Sequence, residues 1–179
     1  MKDFKKFRDG FIGPVIILAV ISLIITWAVA ATFGVTYTEI EKAEQEKARL
    51  ARIEVLAAAD DFTKYETQLP EGVIEAYRAN NGAGFVFQAS AKGYDGQVPF
   101  MIGLDAEGKV AGIKMMTNNE TKGLGSRVGE PKYLELYLGM EGDPDQVDSI
   151  TGATKTSNAL KNSLRAAQEA YEQLKDMNP

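Results

Sequence analysis

Gly84-Phe85-Val86-Phe87-Gln88-Ala89-Ser90-Ala91 sets Phe85, Phe87, Ala89 and Ala91 at every second position, the spacing of a strand with one apolar face. Three similar runs flank it, at 73–79, 98–105 and 109–116. Between the four lie short turn-forming segments, Asn81-Gly82-Ala83, Gly93-Tyr94-Asp95-Gly96 and Ala106-Glu107-Gly108. Strands joined by such turns pair antiparallel in chain order. The pattern predicts an antiparallel sheet, not the strand–helix alternation of a parallel one.

Helices are expected on either side of the sheet. Downstream, 117–130 reads as a Gly-rich polar loop, and Pro131 opens a short helix over 132–138 that offers Tyr133, Leu134, Tyr137 and Leu138 for packing. Leu160, Leu164, Ala167, Tyr171 and Leu174 then form one apolar stripe at helical spacing. That helix begins between Thr154 and Ser157, a stretch of capping residue types apart from Lys155. Upstream, 39–59 is rich in Glu, Lys, Arg, Ala and Leu without Gly or Pro, a helix with Leu50, Ile53 and Ala57 on one side. Residues 60–72 read as a polar loop.

Residues 11–38 carry no charge, and 11–33, through Trp27, are mostly apolar. As a helix this run crosses a hydrocarbon core of about 30 Å. Lys2, Lys5, Lys6 and Arg8 precede it against Asp3 and Asp9, while Glu39 and Glu41 follow. The positive-inside rule therefore puts the N-terminus in the cytoplasm and the C-terminal body outside. Ala28-Val29-Ala30 mimics a signal-peptide cleavage site, but the run is longer than a signal core, which favours a retained anchor. The expected class is α+β: a cytoplasmic tail (1–10), one transmembrane helix (11–33), a juxtamembrane helix (34–60) and an extracytoplasmic antiparallel-sheet domain (61–179) with flanking helices.

The chain lacks cysteine and histidine. That excludes disulfides, iron–sulfur ligation, His-held haem, the common structural zinc sites and His-dependent hydrolytic triads. Any redox role must come from an organic cofactor. Beyond residue 38 lie 16 of the 20 basic and 23 of the 25 acidic residues, a net charge of −7. Nucleic acid requires a basic face, so no nucleic-acid role is expected. Asp143, Asp145 and Asp148 resemble the start of a calcium loop but lack its glycine and final glutamate, and no metal is expected.

The segment with most chemistry is Asp148-Ser149-Ile150-Thr151-Gly152-Ala153-Thr154, directly ahead of the last helix. The first N–H groups of a helix have no intrahelical partner, and its dipole is positive there, so a hydroxyl at that point is well placed to hold a phosphate. The same residues also suit a plain loop and capped helix.

This run resembles the flavinylation motif Asp-x-x-Ser/Thr-Gly-Ala-Thr, in which a transferase joins the phosphate of FMN to the final threonine. Upstream, Glu120-Thr121-Lys122-Gly123-Leu124-Gly125 resembles the Glu-Thr-x-Gly-Leu-Gly segment of the family of FMN-carrying subunits that includes RnfG and NqrC. The order of tail, span and single domain matches as well, with close sequence likeness only at 120–125 and 148–157. The resemblance implies FMN bound covalently through Thr154, with Asp148 in the transferase recognition sequence and Thr151, Gly152 and Ala153 completing it. It makes Glu120, Thr121, Leu124 and Gly125 candidate flavin contacts; Lys122 stands where proline is common in these proteins. Thr156 and Ser157 are candidate phosphate donors or caps. The implied function is an electron-transfer subunit of a membrane-bound, ion-translocating ferredoxin:NAD⁺ oxidoreductase (Rnf) complex. It would relay electrons between a membrane iron–sulfur centre and another flavin subunit, without being catalytic alone. Its partners would be the other subunits and a flavin transferase, and its place a bacterial or archaeal plasma membrane. The alternatives are an NqrC-like subunit of a Na⁺-translocating NADH:quinone oxidoreductase and a non-redox, membrane-anchored ligand-binding or assembly domain.

Overall fold

The computed structural model describes residues 12–177, so the expected cytoplasmic tail (1–10) lies outside the described residues. The chain divides between Lys47 and Ala48 into two compact units.

Helix α1 (Ile12–Val55) opens with Pro14 in its first turn, where a missing N–H costs nothing. In the first unit, Gly13–Phe33 is long and apolar enough to cross a membrane. Thr32 and Thr36 donate their hydroxyls to the carbonyls of Ala28 and Thr32, at 2.9 Å each. Both groups are thus satisfied within the helix.

The second unit is built on five antiparallel strands, β1 (Phe62–Lys64), β2 (Val73–Ala79), β3 (Gly84–Lys92), β4 (Gln97–Asp105) and β5 (Val110–Met115), in chain order across the sheet. Four strands stand where the alternation places them. The fifth, β1, falls in the expected polar loop and pairs Phe62, Thr63 and Lys64 with Ala79, Arg78 and Tyr77. Three residues are too few for a period of two to be seen.

Both faces of the sheet are covered. Phe85, Phe87, Ala89, Phe100, Ile102 and Leu104 face α3 (Thr154–Leu174), whose Leu160, Leu164, Ala167, Tyr171 and Leu174 are all buried. Val86 and Met101 point the other way, onto Ala51, Val55 and Leu56 at the end of α1. There the expected stripe is rotated: Leu50, Ile53 and Ala57 are exposed, and the smaller Ala51 and the neighbouring Val55 are buried. The reason is backbone proximity. A Cβ on Gly103 or Gly112 would lie 2.3 or 2.6 Å from the Val55 carbonyl oxygen, so only glycine admits the helix here.

Pro131 opens the short helix α2 (Pro131–Leu134), continued by a 3-10 turn over Glu135–Tyr137. Tyr133, Leu134 and Tyr137 are buried as expected, but Leu138 is exposed. The Tyr133 and Tyr137 hydroxyls lie 3.1 Å apart, and Tyr133 also donates to the Asp148 carbonyl. This pair anchors the start of the segment leading to Thr154.

Candidate functional site

Three chain segments meet at the N-terminus of α3. The first is the run into the helix. Ala153 N–H donates to the Ile150 carbonyl at 2.9 Å, closing a turn in which Gly152 has φ +85°. A side chain is strained in that conformation. Ile150 N–H donates to Ser157 Oγ, which binds the turn to the helix. Ala153 is the N-cap and has no side chain able to accept from the first turn. The helix starts within the expected range, but none of its hydroxyl residues is the cap. Thr154 is instead the first helical residue, and its side chain is exposed.

The second segment is the loop after β5. Leu124 N–H donates to the Thr121 carbonyl at 3.1 Å around Lys122 and Gly123, and Gly123 has φ +78°. This is the pattern of a type II turn, with Lys122 in the position that favours proline. The third segment is the β3–β4 turn that carries Tyr94.

Glu120 joins all three. Its Oε1 accepts the N–H groups of Tyr94 (2.8 Å) and Asp95 (3.1 Å), and its Oε2 accepts the Thr156 hydroxyl (2.7 Å). A Cβ on Gly93 would come within 2.5 Å of one carboxylate oxygen, and one on Gly125 within 2.2 Å of the other. Burial pushes the Glu120 carboxyl up, but the bonds from Thr156, Asp95 and Tyr94 outweigh it and hold the group below the usual carboxylate range. Glu120 is thus an ionised, fully engaged clamp.

The segments enclose a pocket of about 450 Å³ lined by Tyr94, Glu120, Thr121, Leu124, Gly125, Gly152, Ala153, Thr154, Lys155 and Thr156. Of the residues singled out in the sequence, Thr154, Gly152, Ala153, Thr156, Glu120, Thr121, Leu124 and Gly125 come together here. Thr151 is exposed off the pocket and Ser157 is buried behind it; Asp148 is exposed on the approach. Thr156 spends its hydroxyl proton on Glu120. Tyr94 and Lys155 were not anticipated. An aromatic residue in the tight turn Gly93-Tyr94-Asp95-Gly96 was the available signal for the first, and adjacency to Thr154 for the second.

The set fits a phosphate joined to a flat aromatic group. A helix start without a side-chain cap and the Lys155 ammonium suit an anion, while Tyr94, Leu124 and Ala153 offer apolar surface. The volume is in the usual range for a small-molecule site.

A family model described as FMN-binding domain matches residues 93–169. The RnfG component of the Na(+)-translocating ferredoxin:NAD(+) oxidoreductase complex of Acetobacterium woodii is 30% identical, over 89% of this chain and 90% of that protein. The chain belongs to the RnfG family. Another RnfG relative, from the ion-translocating oxidoreductase complex of Methanosarcina acetivorans, is 25% identical over 93% of this chain and 95% of its own length. A solved structure, the NqrC component of the Na(+)-translocating NADH-quinone reductase from Parabacteroides distasonis, has a TM-score of 0.48 at 18% identity over 60% of this chain and 63% of that one. The FMN-binding match takes in every residue lining the pocket.

Proposed function

We propose that this RnfG-family chain carries FMN covalently on Thr154 and serves as an electron-transfer subunit of a membrane-bound, ion-translocating ferredoxin:NAD⁺ oxidoreductase. FMN supplies reversible electron carriage, chemistry that a chain without cysteine or histidine cannot supply itself. The protein's part is to hold and orient. Thr154 presents an exposed hydroxyl at the pocket, at the end of a helix that favours an anion. This is the observation that carries the reading. A transferase can reach the exposed Asp148, Thr151, Gly152 and Thr154, while Ala153 is buried as the hinge between recognition sequence and helix. The contacts assigned to FMN are Gly152, Ala153, Thr121, Leu124 and Gly125 with Thr154; Glu120 and Thr156 also line the pocket and hold each other.

The helix over Gly13–Phe33 anchors the chain to the membrane. The basic residues ahead of it support a cytoplasmic N-terminus and an FMN domain outside. Its apolar stretch has no ionisable side chain, so ion movement belongs to the other subunits. Removal of the Thr154 hydroxyl tests the attachment, and protease protection in right-side-out and inverted vesicles tests the orientation. Cleavage of the 48–177 region only in right-side-out vesicles is the expected result.

A further inference from the structure

A buried carboxylate grips a hairpin turn whose most prominent side chain is not buried. Tyr94 is 70% exposed, whereas Glu120, which accepts its N–H, is 7% exposed. The turn already closes through the bond from Gly93 N–H to the Gly96 carbonyl, 2.8 Å. Reversing the chain does not require Glu120. Burying a carboxylate is costly unless donors match it, and here three do. What the clamp achieves is placement: it brings Tyr94 to the pocket at the start of α3.

Tyr94 is the aromatic side chain lining that pocket, and Leu124, half exposed, is its other large apolar surface. Two such surfaces on one concavity suit a flat apolar ring. Lys155 Nζ lies 5.5 Å from the Tyr94 ring centroid. That contact is open to water and weak, so a phosphate on the adjacent Thr154 would be the stronger partner for the ammonium and would release the ring. We infer that Tyr94 is the platform for the planar ring of a ligand whose phosphate is held at Thr154, and that Glu120 is the positioning residue that sets it. The inference rests on the Thr154 reading above.

The test uses the full-length protein in detergent after co-expression with a flavin transferase. Mass analysis of the peptide containing Thr154 establishes loading, and the excited-state lifetime of the flavin is then measured on folded protein. A tyrosine in contact with a flavin quenches it by donating an electron, phenylalanine keeps the shape without that ability, and leucine removes the ring. The lifetime is expected to lengthen several-fold in Tyr94→Phe, Tyr94→Leu and Glu120→Ala, to stay near wild type in Glu120→Gln, and to be equal in all after denaturation. Wild type carrying FMN on Thr154 but sharing its lifetime with Tyr94→Phe would overturn the platform and leave the attachment standing. A wild-type peptide without FMN would overturn both. Because Tyr94→Phe preserves shape, it decides the matter even where Tyr94→Leu takes up no flavin.

Discussion

Thr156 Oγ1 donates to Glu120 Oε2 across 2.7 Å, joining the first turn of α3 to a loop 36 residues earlier. Glu120 Oε1 continues the link to the β3–β4 turn. The pocket is therefore held by one side chain contacting two other segments.

Removing that side chain should loosen the site and the domain together. Glu120→Ala leaves the Thr156 hydroxyl and two backbone N–H groups without their acceptor, at a cost of about 2–3 kcal/mol. Glu120→Gln should cost about 1 kcal/mol, because its oxygen can accept both N–H groups and its amide can donate to Thr156. Denaturant unfolding of the two variants measures the difference.

The same contact predicts an acid dependence. The Glu120 carboxyl is held below its ordinary range in the folded protein. Its contribution is complete above the unfolded value, about 4.3, and is lost as pH falls through the lower folded value. Glu75 adds to this in the same sense: burial raises its carboxyl, but bonds from Lys64 and Tyr77 lower it further. Melting followed from pH 6 downward should show stability falling below about pH 4, with a shallower fall in Glu120→Gln.

Lys122→Pro should stabilise the protein by about 0.4–1 kcal/mol, since the turn already favours proline there and the unfolded chain loses freedom. Resemblance to the family marks Lys122 as a departure; the turn closed by Leu124 N–H and the Thr121 carbonyl supplies the physical reason proline is common at that position. Thermal melting of the variant measures the gain.

Gly103→Ala should cost about 1–3 kcal/mol. The added methyl would stand 2.3 Å from the Val55 carbonyl oxygen and push the end of α1 from the sheet. Hydrogen exchange should show protection lost at 51–56 before it is lost in α3.

The sheet and α3 were legible because their burial is periodic: Phe85, Phe87 and Ala89 on one face, Leu160 to Leu174 along one stripe. The stripe at the end of α1 differs from expectation because Leu50 and Ile53 point outward, while Ala51, Val55 and Leu56 are buried where the Val55 backbone closely approaches two distant glycines, Gly103 and Gly112. No local pattern records such a contact. The site was legible wherever a motif carried it, at 120–125 and 148–157. Tyr94 escaped because its role depends on a hydrogen bond to Glu120, 26 residues away. Thr156 and Ser157 looked alike in sequence, yet one faces the carboxylate and the other the Ile150 N–H. Helical rotation separates them.

The central claim is covalent FMN on Thr154. Wild type and Thr154→Ala, each co-expressed with a flavin transferase, are separated by denaturing electrophoresis and read by in-gel flavin fluorescence. Because Thr154 is exposed, the variant should fold and melt like wild type. The prediction is a fluorescent wild-type band and a dark Thr154→Ala band. A dark wild-type band beside a transferase active on another substrate, or a variant as fluorescent as wild type, would contradict it.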